Sequence, residues 1–349
     1  MSNNHLTYFK VENFKKFDAL EVKNIGQFNL IVGDNNVGKT CLLEALLVEV
    51  DKIELPFGGN IGNTISLENL FYSLVNRRVV KAEDVLSLFD NKKIDVFSYF
   101  SKDGNDIKFN FNDKQSTIEN STQFIKIPYF VSIEKNELIE TDFSEKFFLR
   151  SKADFNYPMV CFINQDFDLL SLYNRLSTKS EKDYLINTLK VVFPTIQNVE
   201  FKEDYKGISK TFIFTFEDKD EFIPLNYLGD GFKRIFYVVL KALSLKGKRL
   251  MIDEIEIGIH HSRQKDFFIN LFKICKELDV QLFATTHSKE CAENFVEAGK
   301  ILDESIQQEL RLIELYEVKN DIFSGTISGI DNIEYSVRNE PFRGENIYG

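Results

Sequence analysis

A glycine-rich loop between two apolar runs constrains this chain more than any other feature. Residues 28–32 predict a buried strand and residues 41–47 predict a helix, with the loop Gly33-Asp34-Asn35-Asn36-Val37-Gly38-Lys39-Thr40 between them. The loop matches G-x-x-x-x-G-K-[ST] in its required strand–helix context. Backbone N–H groups of such a loop surround an anion, and the helix N-terminus adds partial positive charge. The pattern predicts a nucleotide site that includes Cys41, with Lys39 at the β- and γ-phosphates and Thr40 on Mg²⁺.

A short apolar stretch in the second half of the chain ends in two acidic residues. Residues 248–252 predict a buried strand, and Asp253 and Glu254 follow it directly. Ligands of α/β proteins bind at the carboxyl ends of strands. We therefore expect Asp253 to hold Mg²⁺ and Glu254 to polarise the attacking water. The alternative is that both acids cap a helix that starts near residue 259, but the phosphate loop upstream favours the functional interpretation.

Two further segments stand at the ends of predicted elements. Residues 280–285 predict another buried strand, and His287 follows it at the start of a helix. We expect His287 to sense the γ-phosphate, the alternative being a structural hydrogen bond. A helix reaching about residue 245 opens with Leu228, Gly229, Asp230 and Gly231. Glycines at a helix N-terminus indicate a second anion site, although capping by Asp230 explains the pattern equally well.

The whole chain, residues 1–349, is expected to form one domain with four parts. N-terminal strands with the phosphate loop, a helical lid insertion, antiparallel strands with helices, and a lobe with the acidic pair and His287 are predicted at residues 1–50, 51–92, 93–194 and 195–349. The remaining strands are predicted at residues 6–13, 19–22, 94–100, 106–111, 124–131, 159–163, 199–201 and 212–216. Helices are predicted at residues 67–75, 82–89, 169–176 and 181–193, the last ending at Pro194.

Composition and spacing exclude several function classes. The chain has 43 Lys and Arg residues against 54 Asp and Glu, a formal net charge of −11, which excludes a protein that coats DNA in general. The best apolar run, residues 236–245, is interrupted by Lys241, so no membrane helix is expected. The first ten residues lack a signal-peptide pattern, so we expect a cytoplasmic protein. Widely spaced cysteines predict buried free thiols at Cys41, Cys161, Cys275 and Cys291. Residues 91–95 are one residue too long for the N-K-x-D element of GTP-binding proteins, which favours ATP.

The order of these motifs resembles ABC-type ATPases. More narrowly, it resembles the branch that contains RecF, SMC-type heads and the overcoming-lysogenization-defect (OLD) family. The phosphate loop and the segment Ile252-Asp253-Glu254-Ile255-Glu256-Ile257-Gly258-Ile259-His260 are similar to OLD-like ATPases of bacteria. The resemblance implies an α/β fold, a P-loop ATPase head with a mixed central sheet, an antiparallel β subdomain and a helical lid.

The resemblance also implies roles for the site residues. Lys39 and Thr40 become the Walker A contacts, Asp253 the Walker B magnesium ligand, Glu254 the catalytic base and His287 the switch histidine. The segment 228–231 becomes the signature motif, which in such families contacts ATP held by a second protomer, so a homodimer with composite ATP sites is implied. The sequence leaves open whether such dimers assemble into a higher oligomer. The usual signature serine is replaced by Gly229, which removes one hydroxyl contact. Two candidates for a Q-loop glutamine, Gln115 and Gln123, fit its spacing poorly.

The number of residues between and after the motifs reduces the set of candidate functions. Only 188 residues separate Thr40 from Gly229, without the long coiled coil of SMC proteins. Only 62 residues follow His287, too few for the Toprim nuclease domain of OLD proteins. We therefore expect an ATPase that regulates a separately encoded effector, such as a nuclease, in bacterial antiphage defence. The alternative is a RecF-like DNA-repair ATPase that binds DNA as an ATP-dependent dimer, which a basic cluster at Arg77, Arg78 and Lys81 keeps open. A transporter subunit is disfavoured by the long insertion after the phosphate loop.

Overall fold

The computed structural model describes residues 5–47, 49–54, 60–66, 97–102, 105–110, 117–120, 123–126, 132–134, 137–139, 158–160 and 169–339. Outside these ranges lie the predicted helices 67–75 and 82–89, the basic cluster, Cys161 and Gln115.

Nineteen strands and eight helices are formed by the described residues. The strands are β1 Phe9–Phe14, β2 Phe17–Val22, β3 Phe28–Gly33, β4 Glu49–Glu54, β5 Asn60–Ser66, β6 Phe97–Lys102, β7 Asn105–Asn110, β8 Thr117–Asn120, β9 Gln123–Lys126, β10 Ser132–Glu134, β11 Glu137–Ile139, β12 Met159–Val160, β13 Ile196–Tyr205, β14 Ile208–Phe216, β15 Lys219–Pro224, β16 Arg249–Ile252, β17 Gln281–Thr285, β18 Leu310–Val318 and β19 Asp321–Ser328. The helices are α1 Lys39–Leu46, α2 Leu169–Asn174, α3 Lys179–Leu189, α4 Asp230–Ser244, α5 His261–Glu277, α6 Lys289–Ile301, α7 Glu304–Gln307 and α8 Ile330–Asn339.

A six-stranded central sheet has the order β12-β16-β17-β3-β18-β19. All neighbours in it are parallel except the final pair, β18 and β19, which is antiparallel. Both faces of the sheet are covered. Along β17, Leu282 and Ala284 pack into one hydrophobic cluster, and Phe283 packs into the other. This alternation follows from the two-residue period of a strand. It explains why the apolar runs are continuous.

The two clusters place the helices on opposite sides of the sheet. One cluster contains buried residues of α4, α5 and α6. The other contains residues of α1, β1 and β2. The pair β1 and β2 belongs to an antiparallel sheet of order β2-β1-β6-β7-β8-β9, and β13, β14 and β15 form a separate antiparallel sheet. The mixed central sheet and the antiparallel subdomain agree with the predicted architecture.

The predicted helical insertion is wrong in its first part. Residues 49–54 and 60–66 form the antiparallel pair β4 and β5, where a mostly helical segment is predicted from residue 51. Three β-branched residues, Ile61, Thr64 and Ile65, favour a strand in this segment. The two helices proposed within the insertion lie outside the described residues.

The helix predicted at residues 181–193 has different bounds. It begins at Lys179, after Thr178 and Glu181 form a capping box. It ends at Leu189, before Pro194, because the N–H groups of Val191 and Val192 bond to carbonyls three residues back, which tightens the chain into turns. None of the helices in the described ranges has both the length and the apolar character that crossing a bilayer requires.

Candidate nucleotide site

Three adjacent parallel strands bring the predicted motifs together. In the register of the sheet, Ile252 of β16 pairs with Ala284 of β17, which pairs with Leu30 of β3. Because the carboxyl ends of parallel strands meet at one edge of a sheet, the acidic pair, the His287 loop and the phosphate loop converge there. The chain order of the motifs therefore differs from their spatial order, in which β17 lies between the other two strands.

The phosphate loop has the backbone conformation that its glycines allow. The φ angle is +140° at Gly33, +66° at Asn36 and +109° at Gly38, all in the region that L-residues rarely adopt. A Cβ on Gly33 would lie 2.2 Å from the carbonyl oxygen of Leu315, so contact with β18 also demands glycine. Gly38 is the N-cap of α1 and no side chain caps this helix start, so the first N–H groups of α1 are available to an anion.

Lys39 is buried and folds back onto the loop. Its Nζ donates hydrogen bonds to the carbonyl oxygens of Gly33, at 2.6 Å, and Asp34, at 2.8 Å. Burial lowers the pKa of Lys39 from its ordinary value to about 8, an effect that the negative charges of Asp34, Asp253, Glu256 and Glu254 oppose. Among the described residues, the direct acceptors of the ammonium group are therefore backbone carbonyls, and an anionic ligand would stabilise its charged form.

We expect ATP affinity to weaken as pH rises through about 8. The pKa of Lys39 is about 8 without ligand, and phosphate charges beside the ammonium raise it. ATP therefore binds the protonated lysine more tightly, so affinity is fully developed below pH 8 and is lost progressively above it. Binding above pH 8 is then accompanied by proton uptake. Calorimetry at pH 9 in buffers of different ionisation enthalpy measures that uptake.

The matched variants for this measurement are Lys39→Ala and Lys23→Ala. The first removes the charge and the proton uptake, and should weaken ATP binding by about 1.5–3 kcal/mol, the scale of a charged hydrogen bond. The second removes a lysine that is largely exposed and pairs with Glu21, and should change neither quantity. Proton uptake by the Lys39→Ala protein equal to that of the parent would contradict the assignment.

Thr40, Asp253 and Thr285 form a hydrogen-bonded group of oxygens. The Thr40 hydroxyl lies 3.1 Å from both carboxylate oxygens of Asp253, and the Thr285 hydroxyl donates to Asp253 Oδ1 at 2.8 Å. Asp253 is buried. A hydroxyl and a buried carboxylate at this separation suit Mg²⁺, which prefers oxygen ligands. The two residues predicted as magnesium ligands are therefore neighbours, and their donor atoms fit the ion.

Glu254 adopts an unusual backbone conformation beside His287. Its φ angle is +51°, a conformation that costs about 1–3 kcal/mol in a residue with a side chain. Its N–H donates to the Thr285 hydroxyl at 2.8 Å, and its carbonyl accepts a bond from Arg234 at 2.8 Å. Its Oε1 lies 3.8 Å from His287 Nε2, and both side chains are partly exposed. The backbone is thus held while the carboxylate remains accessible to solvent.

The signature segment packs against the acidic loop of its own chain. A Cβ on Gly231 would lie 2.2 Å from the carbonyl oxygen of Gly258. One turn later, Arg234 donates bonds of 2.8 Å to the carbonyls of both Asp253 and Glu254. Leu228 is buried, whereas Gly229 is exposed and has open space around its Cα. The start of α4 is therefore joined to the acidic pair but is open to solvent at Gly229.

The alternative in which Asp230 caps α4 is wrong. Gly229 is the N-cap, no side chain caps the helix start, and Asp230 is the first helical residue. The largely exposed Asp230 carboxylate pairs instead with Lys233, at 2.9 Å. The anion-site interpretation of this helix start remains a prediction.

One glutamine and three cysteines complete the set of predicted residues within the described ranges. Gln123 begins β9 in the antiparallel subdomain. Cys275 and Cys291 are buried free thiols as predicted. Cys41 follows Thr40 in α1 and is half-buried rather than buried. No group of three or more metal-binding side chains of the His, Cys, Asp and Glu types occurs among the described residues.

Sequence reasoning missed Thr285 and Arg234. Thr285 is the last residue of a strand that was predicted, but its contact with Asp253 depends on β16 and β17 being neighbours. Arg234 follows Gly231 by nearly one helical turn, and this spacing is the signal that could have suggested a shared helix face.

Comparison with known proteins supports a nucleotide-hydrolysing enzyme. A Helicobacter pylori (strain ATCC 700392 / 26695) protein named ATP/GTP phosphatase is 27% identical over 400 aligned residues, which cover 97% of this chain and 99% of the relative. This relative agrees with the prediction that the chain is an ATPase.

Solved structures with a similar fold include two Smc heads. One, bound to the C-terminal winged-helix domain of ScpA, aligns with a TM-score of 0.55 at 10% identity over 93% of this chain and 98% of that one. The other has an extended coiled coil and is bound to the C-terminal domain of ScpA from Pyrococcus furiosus. It aligns with a TM-score of 0.52 at 9% identity, over 93% of this chain and 96% of that one. These likenesses confirm the predicted α/β fold of an ABC-type ATPase head with a mixed central sheet.

One family model covers most of the chain, from the phosphate loop to the His287 loop. Its description is "AAA domain, putative AbiEii toxin, Type IV TA system", and it matches residues 28–290. The match begins at the strand before the phosphate loop and ends just beyond His287. The chain therefore belongs to this family of AAA-domain proteins.

Proposed function

We propose that the residues at the carboxyl edge of the central sheet bind ATP and hydrolyse it, each with a separate role. Lys39 and the N–H groups at the start of α1 bind the phosphates, and Glu254 accepts a proton from the attacking water. His287 binds the γ-phosphate and orients Glu254. Bound between Thr40 and Asp253, Mg²⁺ would supply positive charge to the phosphate oxygens. The observation that carries this proposal is the group of contacts among Thr40, Asp253, Glu254 and His287 at one sheet edge.

The catalytic unit that we propose is a homodimer. Gly229 and Asp230 are exposed at the start of α4, and no side chain caps this N-terminus. A helix start with open N–H groups suits an anion. A two-fold dimer would place the start of α4 on the ATP of the partner and would do so twice.

For the biological role, we propose regulation of a separate effector in antiphage defence. The description of the matching family names a toxin of a toxin–antitoxin system. This favours a role in the control of growth or survival over a role in transport. The RecF-like alternative requires a basic surface for DNA, and the formal net charge of −11 counts against it. The basic residues that favour it lie outside the described residues.

A phage challenge tests the role. Cells that carry the gene with its chromosomal neighbours should form fewer plaques with at least one phage than cells with the empty vector. Protection should be lost in the Lys39→Ala variant and retained in Lys23→Ala. Equal protection by the Lys39→Ala variant, or none by the parent across a broad phage panel, would contradict the proposal. ATP-dependent binding of duplex DNA by the purified protein would favour the RecF-like alternative.

A further inference from the structure

Glu256 connects the two loops on which the proposed chemistry depends. It lies two residues after Glu254, in a tight turn where the N–H of Ile257 bonds to the Glu254 carbonyl and that of Ile259 bonds to the Glu256 carbonyl. Its Oε1 accepts a hydrogen bond of 2.9 Å from the backbone N–H of His287. The side chain thus spans from the loop after β16 to the loop after β17.

The second carboxylate oxygen of Glu256 makes no hydrogen bond that would stabilise the described part of the fold. Glu256 Oε2 is buried and has no hydrogen-bond partner among the described residues. A buried, unsatisfied oxygen costs about 1–3 kcal/mol, so stability alone favours a different side chain here.

The His287 loop is held by a succession of backbone bonds. The N–H of Thr286 bonds to the Ile31 carbonyl at 3.1 Å, and the N–H of Ser288 bonds to the Thr286 hydroxyl at 3.0 Å. The N–H between them, that of His287, bonds to Glu256. Of these three acceptors, the Glu256 carboxylate is the one that belongs to the loop after β16, so this bond joins the His287 loop to the acidic loop. The bond is made at the backbone of the same residue whose Nε2 lies 3.8 Å from Glu254 Oε1.

We propose that Glu256 is a positioning residue that holds the His287 loop in the conformation needed for hydrolysis. It acts through the backbone of His287 and touches neither ATP nor the attacking water. The inference rests on the proposed role of His287. What it requires of Glu256 is an acceptor oxygen at the correct reach, so the length of the side chain matters more than its charge.

Three substitutions of Glu256 separate the effect of side-chain length from the effect of charge. Glu256→Gln keeps an acceptor oxygen at the same reach without the charge, and its kcat should stay within about threefold of the parent. Glu256→Asp keeps the charge but is one methylene shorter, and Glu256→Ala lacks the acceptor. Both should lower kcat by about tenfold, the lower end of the loss seen when supporting residues are removed, while the ATP Kd stays within about twofold. Glu290→Ala, at an exposed position in the first turn of α6, should leave both parameters unchanged.

A double-mutant cycle tests whether Glu256 acts through His287. In a His287→Ala background, Glu256→Ala should lower kcat by less than about twofold further, because the side chain that it positions is already gone. Melting temperatures identify any variant that fails to fold, and the Gln and Asp variants decide the question if the Ala variant does so. The inference is overturned by a Gln variant as impaired as the Ala variant, by an Asp variant with parental kcat, or by a full tenfold loss in the His287→Ala background. A parental kcat in the His287→Ala protein itself would instead overturn the role proposed for His287.

Discussion

Replacing Glu254 by glutamine is expected to leave ATP binding intact and to lower turnover by about 10²–10⁴-fold, the contribution of a general base. Glutamine has the same shape but cannot accept a proton from water. The backbone at this position is held by Thr285 and Arg234, so the substitution should not disturb the loop. Thr40 and Asp253 keep their contacts, which preserves the proposed magnesium ligands. Phosphate release and nucleotide titration measure the two effects separately.

Trapping of a dimer is the second consequence of the same substitution. If hydrolysis separates the protomers, the Glu254→Gln protein should accumulate as an ATP-bound dimer in light scattering after gel filtration with ATP. Glu277→Gln, which removes the same charge from the exposed end of α5, should behave like the parent. Hydrolysis by Glu254→Gln at the parental rate would show that another group accepts the proton.

The sequence predicted the motif-bearing elements because their signals are local. Glycine positions, a lysine before a helix and acids after an apolar run each depend on a few neighbouring residues. The strands before Gly33, Asp253 and Thr286 are found where they were predicted. What local pattern does not contain is which strands are neighbours. The sheet order therefore decides that Thr285 contacts Asp253.

Elements outside the motifs were harder to predict. The polar strand Lys219–Pro224 is mostly exposed, so it lacks the apolar alternation by which strands are recognised. The pair β18 and β19 was not assigned, although β18 supplies the carbonyl of Leu315 that leaves no room for a side chain at Gly33. Such constraints arise between residues far apart in the chain. They appear only after the sheet is assembled.

The two glycines of the signature segment, Gly229 and Gly231, cannot be distinguished from the sequence. Either could allow a phosphate to approach the backbone closely. Gly231, however, is required within its own chain, because a Cβ there would meet the Gly258 carbonyl at 2.2 Å. A bulky residue at position 231 would therefore disturb the acidic loop in a monomer as well. A Cβ on Gly229 would meet no atom within 4 Å beyond its chain neighbours, and the φ of −56° at this residue suits any L-residue.

Substitutions at Gly229 therefore test the proposed dimer without disturbing the protomer. Gly229→Ser adds the hydroxyl that the signature of related ATPases carries, and should raise turnover by up to about tenfold if the start of α4 contacts a γ-phosphate. Gly229→Trp should block the approach of the partner's ATP, so that ATP still binds while hydrolysis is lost. The melting temperature of each variant, measured without nucleotide, should stay near that of the parent. Parental turnover by Gly229→Trp would contradict the composite site.

Mixing two inactive variants then distinguishes a site shared between protomers from a site within one. In a mixed dimer of Gly229→Trp and Lys39→Ala chains, one composite site joins the intact phosphate loop of the first to the intact α4 start of the second. The other site contains both defects. Random pairing of equal amounts gives half mixed dimers with one working site of two, so turnover should recover to at most about a quarter of the parental value. If both functions lay within a single protomer, no mixture would recover any activity. Recovery that rises with total protein concentration would identify the dimer as the species that hydrolyses ATP.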